Sequence, residues 1–122
     1  MNLTNQKPYK KNSQKKRPRN RAERESPWYQ YGTDDDYQAW CRERPSAYSG
    51  KTVNIVYAHY RTSKNSGIAD KPSFSGLPLT FNEHHIQHQI GQYSFMERER
   101  WEYLVNQHLT AWAESKNKSV DE

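Results

Sequence analysis

The chain has 122 residues, of which 32% are hydrophobic, and a formal net charge of +5. That length accommodates one modest domain, and with so few aliphatics its core has to be built largely from rings, drawn from three Phe, four Trp and nine Tyr. No apolar run reaches the roughly 20 residues of a membrane span and no signal-like apolar stretch follows the N-terminus; the single Cys41 excludes an internal disulfide, so a cytoplasmic protein is expected.

The charge is unevenly distributed. Residues 1–26 carry nine Lys/Arg against Glu23 and Glu25, a balance of +7, whereas residues 27–122 carry ten Lys/Arg against twelve acids, a balance of −2. The first segment has almost no large apolar side chain to offset the entropy of ordering and reads as a disordered basic arm. The dense run Lys15-Lys16-Arg17-Pro18-Arg19 suits an electrostatic tether to nucleic-acid phosphates. A solubilising tail without a specific partner is the alternative.

Thr33 followed by Asp34-Asp35-Asp36 predicts a helix N-cap with an acidic first turn; the same acids could also be read as metal ligands. Tyr37, Trp40 and Cys41 give this helix a buried face, and it ends near Arg44-Pro45. Residues 51–60 predict a strand with Val53, Ile55, Tyr57 and His59 on one face. Residues 61–79, broken by Gly67, Pro72, Gly76 and Pro78, read as loop. A short helix is expected over 80–90, stopping at Gly91 and opened by the capping box Thr80-Phe81-Asn82-Glu83. Ser94 and Glu97 form a second such signature, opening a helix to about residue 115 with Trp101, Leu104, Val105, Leu109 and Trp112 as its buried stripe. His108 beside that stripe reads as a packing residue. Domain limits follow: an arm over 1–26, a folded domain over 27–115 and a tail over 116–122.

Chemistry-bearing residues concentrate in Glu83-His84-His85-Ile86-Gln87-His88, with His59 at the end of the expected strand. His84 and His88 are four apart, so on a helix they share one face and can grip a common ion or phosphate. His85 points away from them.

The stretch from Asp36 to Phe95 resembles the phage- and prophage-borne His-Asn-His endonucleases, which include the recombination-enhancement (Ref-type) nucleases. Trp40-Cys41-Arg42-Glu43-Arg44-Pro45-Ser46-Ala47-Tyr48-Ser49-Gly50 resembles that family's helix followed by Pro-Cys-x-x-Cys-Gly. Ala58-His59-Tyr60-Arg61 resembles its Ala-His-x-Arg, and Lys71-Pro72-Ser73 its Lys-Pro-Ser. Leu77-Pro78-Leu79-Thr80-Phe81-Asn82-Glu83-His84 resembles its Val-Pro-Leu-Cys-x-x-His-His, followed by His88, Gly91 and Phe95. The likeness covers about half the chain.

The resemblance implies an α+β fold: a small ββα-metal (HNH-like) domain with flanking helices and the basic arm. It implies hydrolysis of DNA phosphodiester bonds, in phage recombination or DNA processing, with one divalent ion (Mg, Mn or similar). His59 would be the general base, His84 and His88 metal ligands, and Arg61 a phosphate contact. DNA or RNA is the expected partner, reinforced by Lys15, Lys16, Arg17 and Arg19, with no membrane involved and no oligomeric state specified. The family's four structural zinc ligands correspond here to Ser46, Ser49, Thr80 and Glu83, which lack the thiolates and imidazoles zinc prefers, so no structural zinc is expected. Capping by Thr80 and Glu83 and packing of Trp40, Tyr48, Tyr57, Trp101 and Trp112 would stand in for it. The residue before the base is Ala58, the motif's middle Asn falls near Ser75, and Asp70 is a candidate extra carboxylate. These departures keep a catalytically inactive nucleic-acid-binding protein on the same fold as the alternative, with a phage-derived interaction protein as a third reading.

Overall fold

The computed structural model describes residues 17–60 and 72–121, the side chains of 118–121 excepted. Among the described residues it is a small α+β domain. In order come α1 (Arg21–Glu25), a 3-10 helix (Pro27–Tyr31), α2 (Asp34–Arg42), β1 (Ile55–Ala58), β2 (Leu77–Thr80), α3 (Phe81–Ile90), α4 (Gln92–Phe95) and α5 (Arg98–Asp121). No helix among the described residues is long and apolar enough to cross a membrane.

Local signals set α2 and α3. Thr33 Oγ1 accepts the Asp36 N–H while the Asp36 carboxylate accepts the Thr33 N–H, a reciprocal cap that satisfies two donors helix geometry would otherwise orphan. Thr80 and Glu83 repeat the arrangement at the start of α3, and Gly91 at φ 96 stops that helix. On α2, Tyr37 and Cys41 are fully buried and Trp40 packs at the core margin. The expected stripe on α5 is buried throughout.

β1 and β2 pair antiparallel, with Ile55 opposite Thr80 and Ala58 opposite Leu77. The strand expected over 51–60 is only four residues long. Asn54 sits in the left-handed region at φ 54, where an extended strand cannot continue, and Val53 is exposed. The loop expected over 61–79 contains β2 at its end. Pro78 lies inside that strand, which a two-stranded sheet tolerates, and its carbonyl takes the Ala47 N–H at 2.8 Å.

The core forms where α2, the sheet and α5 meet around Tyr37, whose ring centroid is 5.4 Å from that of Trp112 and 5.9 Å from that of Tyr57. Its hydroxyl donates to the Gly76 carbonyl, and the Gly76 N–H donates to the Tyr57 hydroxyl at 2.7 Å. A Cβ at Gly76 would run into the Tyr57 ring, so only glycine fits there. Of the five aromatics expected to replace zinc, Tyr57, Trp101 and Trp112 are buried; Tyr48 is half exposed, though stacked on Phe95.

Three boundaries differ from expectation. The second capping box does not form: residues 92–95 make the separate turn α4, Met96 is extended, and α5 begins at Arg98. Phe95 and Met96 are both buried and Trp101 Nε1 donates to the Gln92 carbonyl, so packing overrides the local cap signature. α5 runs to Asp121, through residues assigned to a tail, because no Gly or Pro interrupts them. At the other end, α1 falls within the segment assigned to the arm. Glu23 is buried because its carboxylate accepts the first N–H of α2, that of Asp34, at 2.9 Å. Residues 1–16 lie outside the described residues.

Candidate functional site

An open pocket of about 520 Å³ lies between α2, the end of β1 and α3. From the strand end come Tyr57 and His59; α3 contributes His84, Gln87 and His88 one turn apart. Gln38 and Arg42 reach it from α2, and Gly91 and Gln92 close it beyond the helix end. The three histidines singled out in the sequence therefore share one pocket. His85 is exposed and outside it.

Local packing sets each imidazole. The His59 ring stands edge-on to Tyr57 at 5.0 Å between centroids, with its Nε2 shielded from solvent. His84 and His88 rings are 4.5 Å apart at 74°, as i,i+4 spacing on one helical face requires. Gln87 links the strand to the helix: its Nε2 donates to the His59 carbonyl, a long bond of 3.4 Å, and its Oε1 lies 3.0 Å from His84 Nδ1. With Oε1 as the atom facing Nδ1, the contact accommodates the Nδ1–H tautomer of His84, which leaves the lone pair on Nε2.

The donor set restricts which metal fits. Among the described residues none that lines the pocket is a carboxylate, and no three His, Cys, Asp or Glu side chains are grouped to hold one ion. Two imidazoles suit a borderline ion such as zinc or nickel; magnesium or manganese would need oxygen ligands in addition to these two side chains. His84 and His88 thus fit as a two-nitrogen contribution to such an ion, with its remaining ligands coming from water or substrate.

A second polar cluster anchors α3. Ser46 Oγ donates to Glu83 Oε1 at 2.6 Å and accepts the N–H groups of Tyr48 and Ser49. The Thr80 N–H reaches the same carboxylate at 2.9 Å, and the Ser49 hydroxyl lies near enough to help lower its pKa. The four positions that the family resemblance equates with zinc ligands are thus one hydrogen-bonded group tying the 46–50 turn to the start of the histidine helix. Burial raises the Glu83 pKa, but the hydrogen bonds from Ser46, Ser49 and Thr80 outweigh it and leave the carboxyl below its ordinary value.

Other expected residues are placed apart from the pocket. Ser75 donates its hydroxyl to the Pro72 carbonyl and lines a different depression, with Tyr60 and Glu102. Ala58 is fully buried. His108 Nδ1 bonds the Leu104 carbonyl within α5, and burial lowers its pKa. Arg17 and Arg19 are both exposed, and Arg19 bonds Ser73 and pairs with Glu23 and Asp34. Lys15, Lys16, Arg61 and Asp70 lie outside the described residues. The sequence reading missed Gln38, Arg42, Gln87 and Gln92. Only Gln38 and Arg42 had a usable local signal, the successive four-residue steps Asp34, Gln38, Arg42.

Compared with protein-family models, curated proteins and solved structures, the chain has no match.

Proposed function

We propose that the chain is a metal-dependent endonuclease of the ββα-metal, His-Asn-His kind, hydrolysing DNA phosphodiester bonds in DNA processing. The observation that carries this reading is the meeting of His59, from the strand end, with His84 and His88 of α3 in one pocket. The clustering of Ser46 and Ser49 with Thr80 and Glu83 supports the same fold assignment, because the resemblance, and no local signal, required the 46–49 turn to meet the start of the histidine helix. In this reading the neutral imidazole of His59 takes the proton of the attacking water. His84 and His88 hold the ion, and Gln87 keeps the lone pair of His84 on Nε2. A bound divalent ion supplies Lewis-acid stabilisation of the charge on the phosphate and the leaving 3′-oxygen. The basic residues of 1–17 gather the polyanion.

The test is plasmid cleavage with Zn²⁺, Ni²⁺, Mn²⁺, Mg²⁺ or EDTA, using the wild type and His59→Ala. Metal-dependent nicking that the substitution abolishes supports the proposal; nicking that survives it overturns the role of His59.

Two observations favour a non-catalytic DNA-binding protein on the same fold. Ser75, the expected counterpart of the motif's Asn, is tied to Pro72 on another face. The shielded Nε2 of His59 also means that the proton would have to go to Nδ1. Salt-sensitive DNA binding without cleavage under any metal would establish that reading.

A further inference from the structure

We propose that Arg42 is the phosphate-binding group of the histidine pocket, held in place through Gln38 by the buried carboxylate of Asp34. The inference deepens the nuclease reading and rests on it for the identity of the anion as a phosphodiester.

Asp34, Gln38 and Arg42 are spaced four apart on α2 and form a ladder along one face of that helix. Asp34 is fully buried, and its carboxylate is pinned by the Phe74 N–H at 2.6 Å. Gln38 Nε2 donates to Asp34 Oδ2 at 2.7 Å. That bond decides which way the amide faces, so Gln38 Oε1 is turned toward Arg42 and accepts from its Nη2 at 3.0 Å. The guanidinium is thereby oriented at the wall of the pocket at a cost of one of its five N–H donors.

Its charge is not neutralised there. Arg19, Arg21 and Arg98 each pair with a carboxylate. The hydrogen-bond partner of Arg42 is a neutral amide, and among the described residues it makes no ion pair. It is also the one Lys or Arg among the described residues lining the pocket, whose other polar side chains are imidazoles, amides and the Tyr57 phenol. A cavity with a pre-oriented guanidinium and, among the described residues, no acid on its walls selects an anion, and the planar fork of Arg matches two phosphate oxygens. The family resemblance gives this role to Arg61, which lies outside the described residues.

The experiment is titration of the full-length protein, in EDTA, with inorganic phosphate and with a thymidine dinucleotide. Binding is followed by the ring resonances of His59, His84 and His88 in NMR spectra. Both probes should shift these resonances saturably in the wild type, the dinucleotide at lower concentration. Arg42→Gln should weaken binding about tenfold, the loss of a charge-assisted hydrogen bond. Gln38→Met, which removes the acceptor while keeping the volume, should weaken it by about threefold with an otherwise unchanged spectrum. Wild-type affinity in Arg42→Gln, or probe-induced shifts lying outside the pocket, overturns the proposal. Phosphate binding without dinucleotide binding overturns its assignment to a diester. Because neither metal nor turnover enters the measurement, loss of the nuclease reading in the cleavage assay leaves this result separately readable.

Discussion

At the start of α3 a carboxylate is sealed in by its neighbours; along the same helix, imidazoles line an open pocket. The Glu83 group closes on itself: each partner of the carboxylate is a hydroxyl or N–H of the 46–50 turn or the helix cap, and Ser46, Thr80 and Glu83 are all buried. The histidine group instead borders open space. Gln87 contacts the His84 ring and Tyr57 the His59 ring, while His88 is exposed and Arg42 lines the cavity. A polar cluster that uses up its own hydrogen bonds holds a fold together; one that keeps capacity in reserve can bind something.

Substitutions on the two sides should therefore fail differently. The largest effect is expected for His59→Ala, which removes the proton acceptor. Cleavage should fall by about a hundredfold or more while the urea midpoint stays near that of the wild type. Equal loss of stability and activity would make His59 a packing residue.

On the closed side, Glu83→Leu strands the Ser46 hydroxyl and the Thr80 N–H in a buried site. A loss of about 2–3 kcal/mol in urea unfolding is expected, with no specific effect on phosphate binding. Gln87→Met lies between the two regions. By releasing His84 Nδ1 it should weaken metal binding about tenfold, read by calorimetry, and lower stability only slightly.

The pH dependence sharpens the contrast further. The folded-state pKa of Glu83 lies below its unfolded value, so its contribution to stability is complete above about pH 4.5 and is lost as pH falls through the folded value. Glu83→Gln should flatten that acid limb of the stability profile, and an unaltered limb would show that the carboxylate is not held as described. The smallest effect is expected for His85→Ala, on the exposed face of α3: cleavage and stability should both match the wild type, whereas His88→Ala should weaken metal binding.

What could be read from sequence was what neighbouring residues decide among themselves. Thr33 with Asp36 and Thr80 with Glu83 cap helices through bonds spanning three residues, and the α5 stripe follows from helical period alone. The same logic failed at Ser94 and Glu97, where burial of Phe95 and Met96 outweighs a cap of about 1 kcal/mol. β2 was missed because four residues containing a proline carry no alternating pattern. α1 was assigned to the arm because its one buried residue is a glutamate, which composition counts as solvent-facing.

By itself the sequence determined three helices, their caps, an aromatic-rich core and the shared helical face of His84 and His88, all through interactions a few residues long. Only the tertiary structure decided that Ser46 meets Glu83 across 37 positions and that Gln87 reaches back to the His59 carbonyl. It also brought Arg42 to the pocket wall, the one Lys or Arg among the described residues that lines it. Those meetings depend on where the chain reverses, and reversal is set by burying Tyr37, Tyr57, Trp101 and Trp112 against one another, a many-body condition that no short window of residues records.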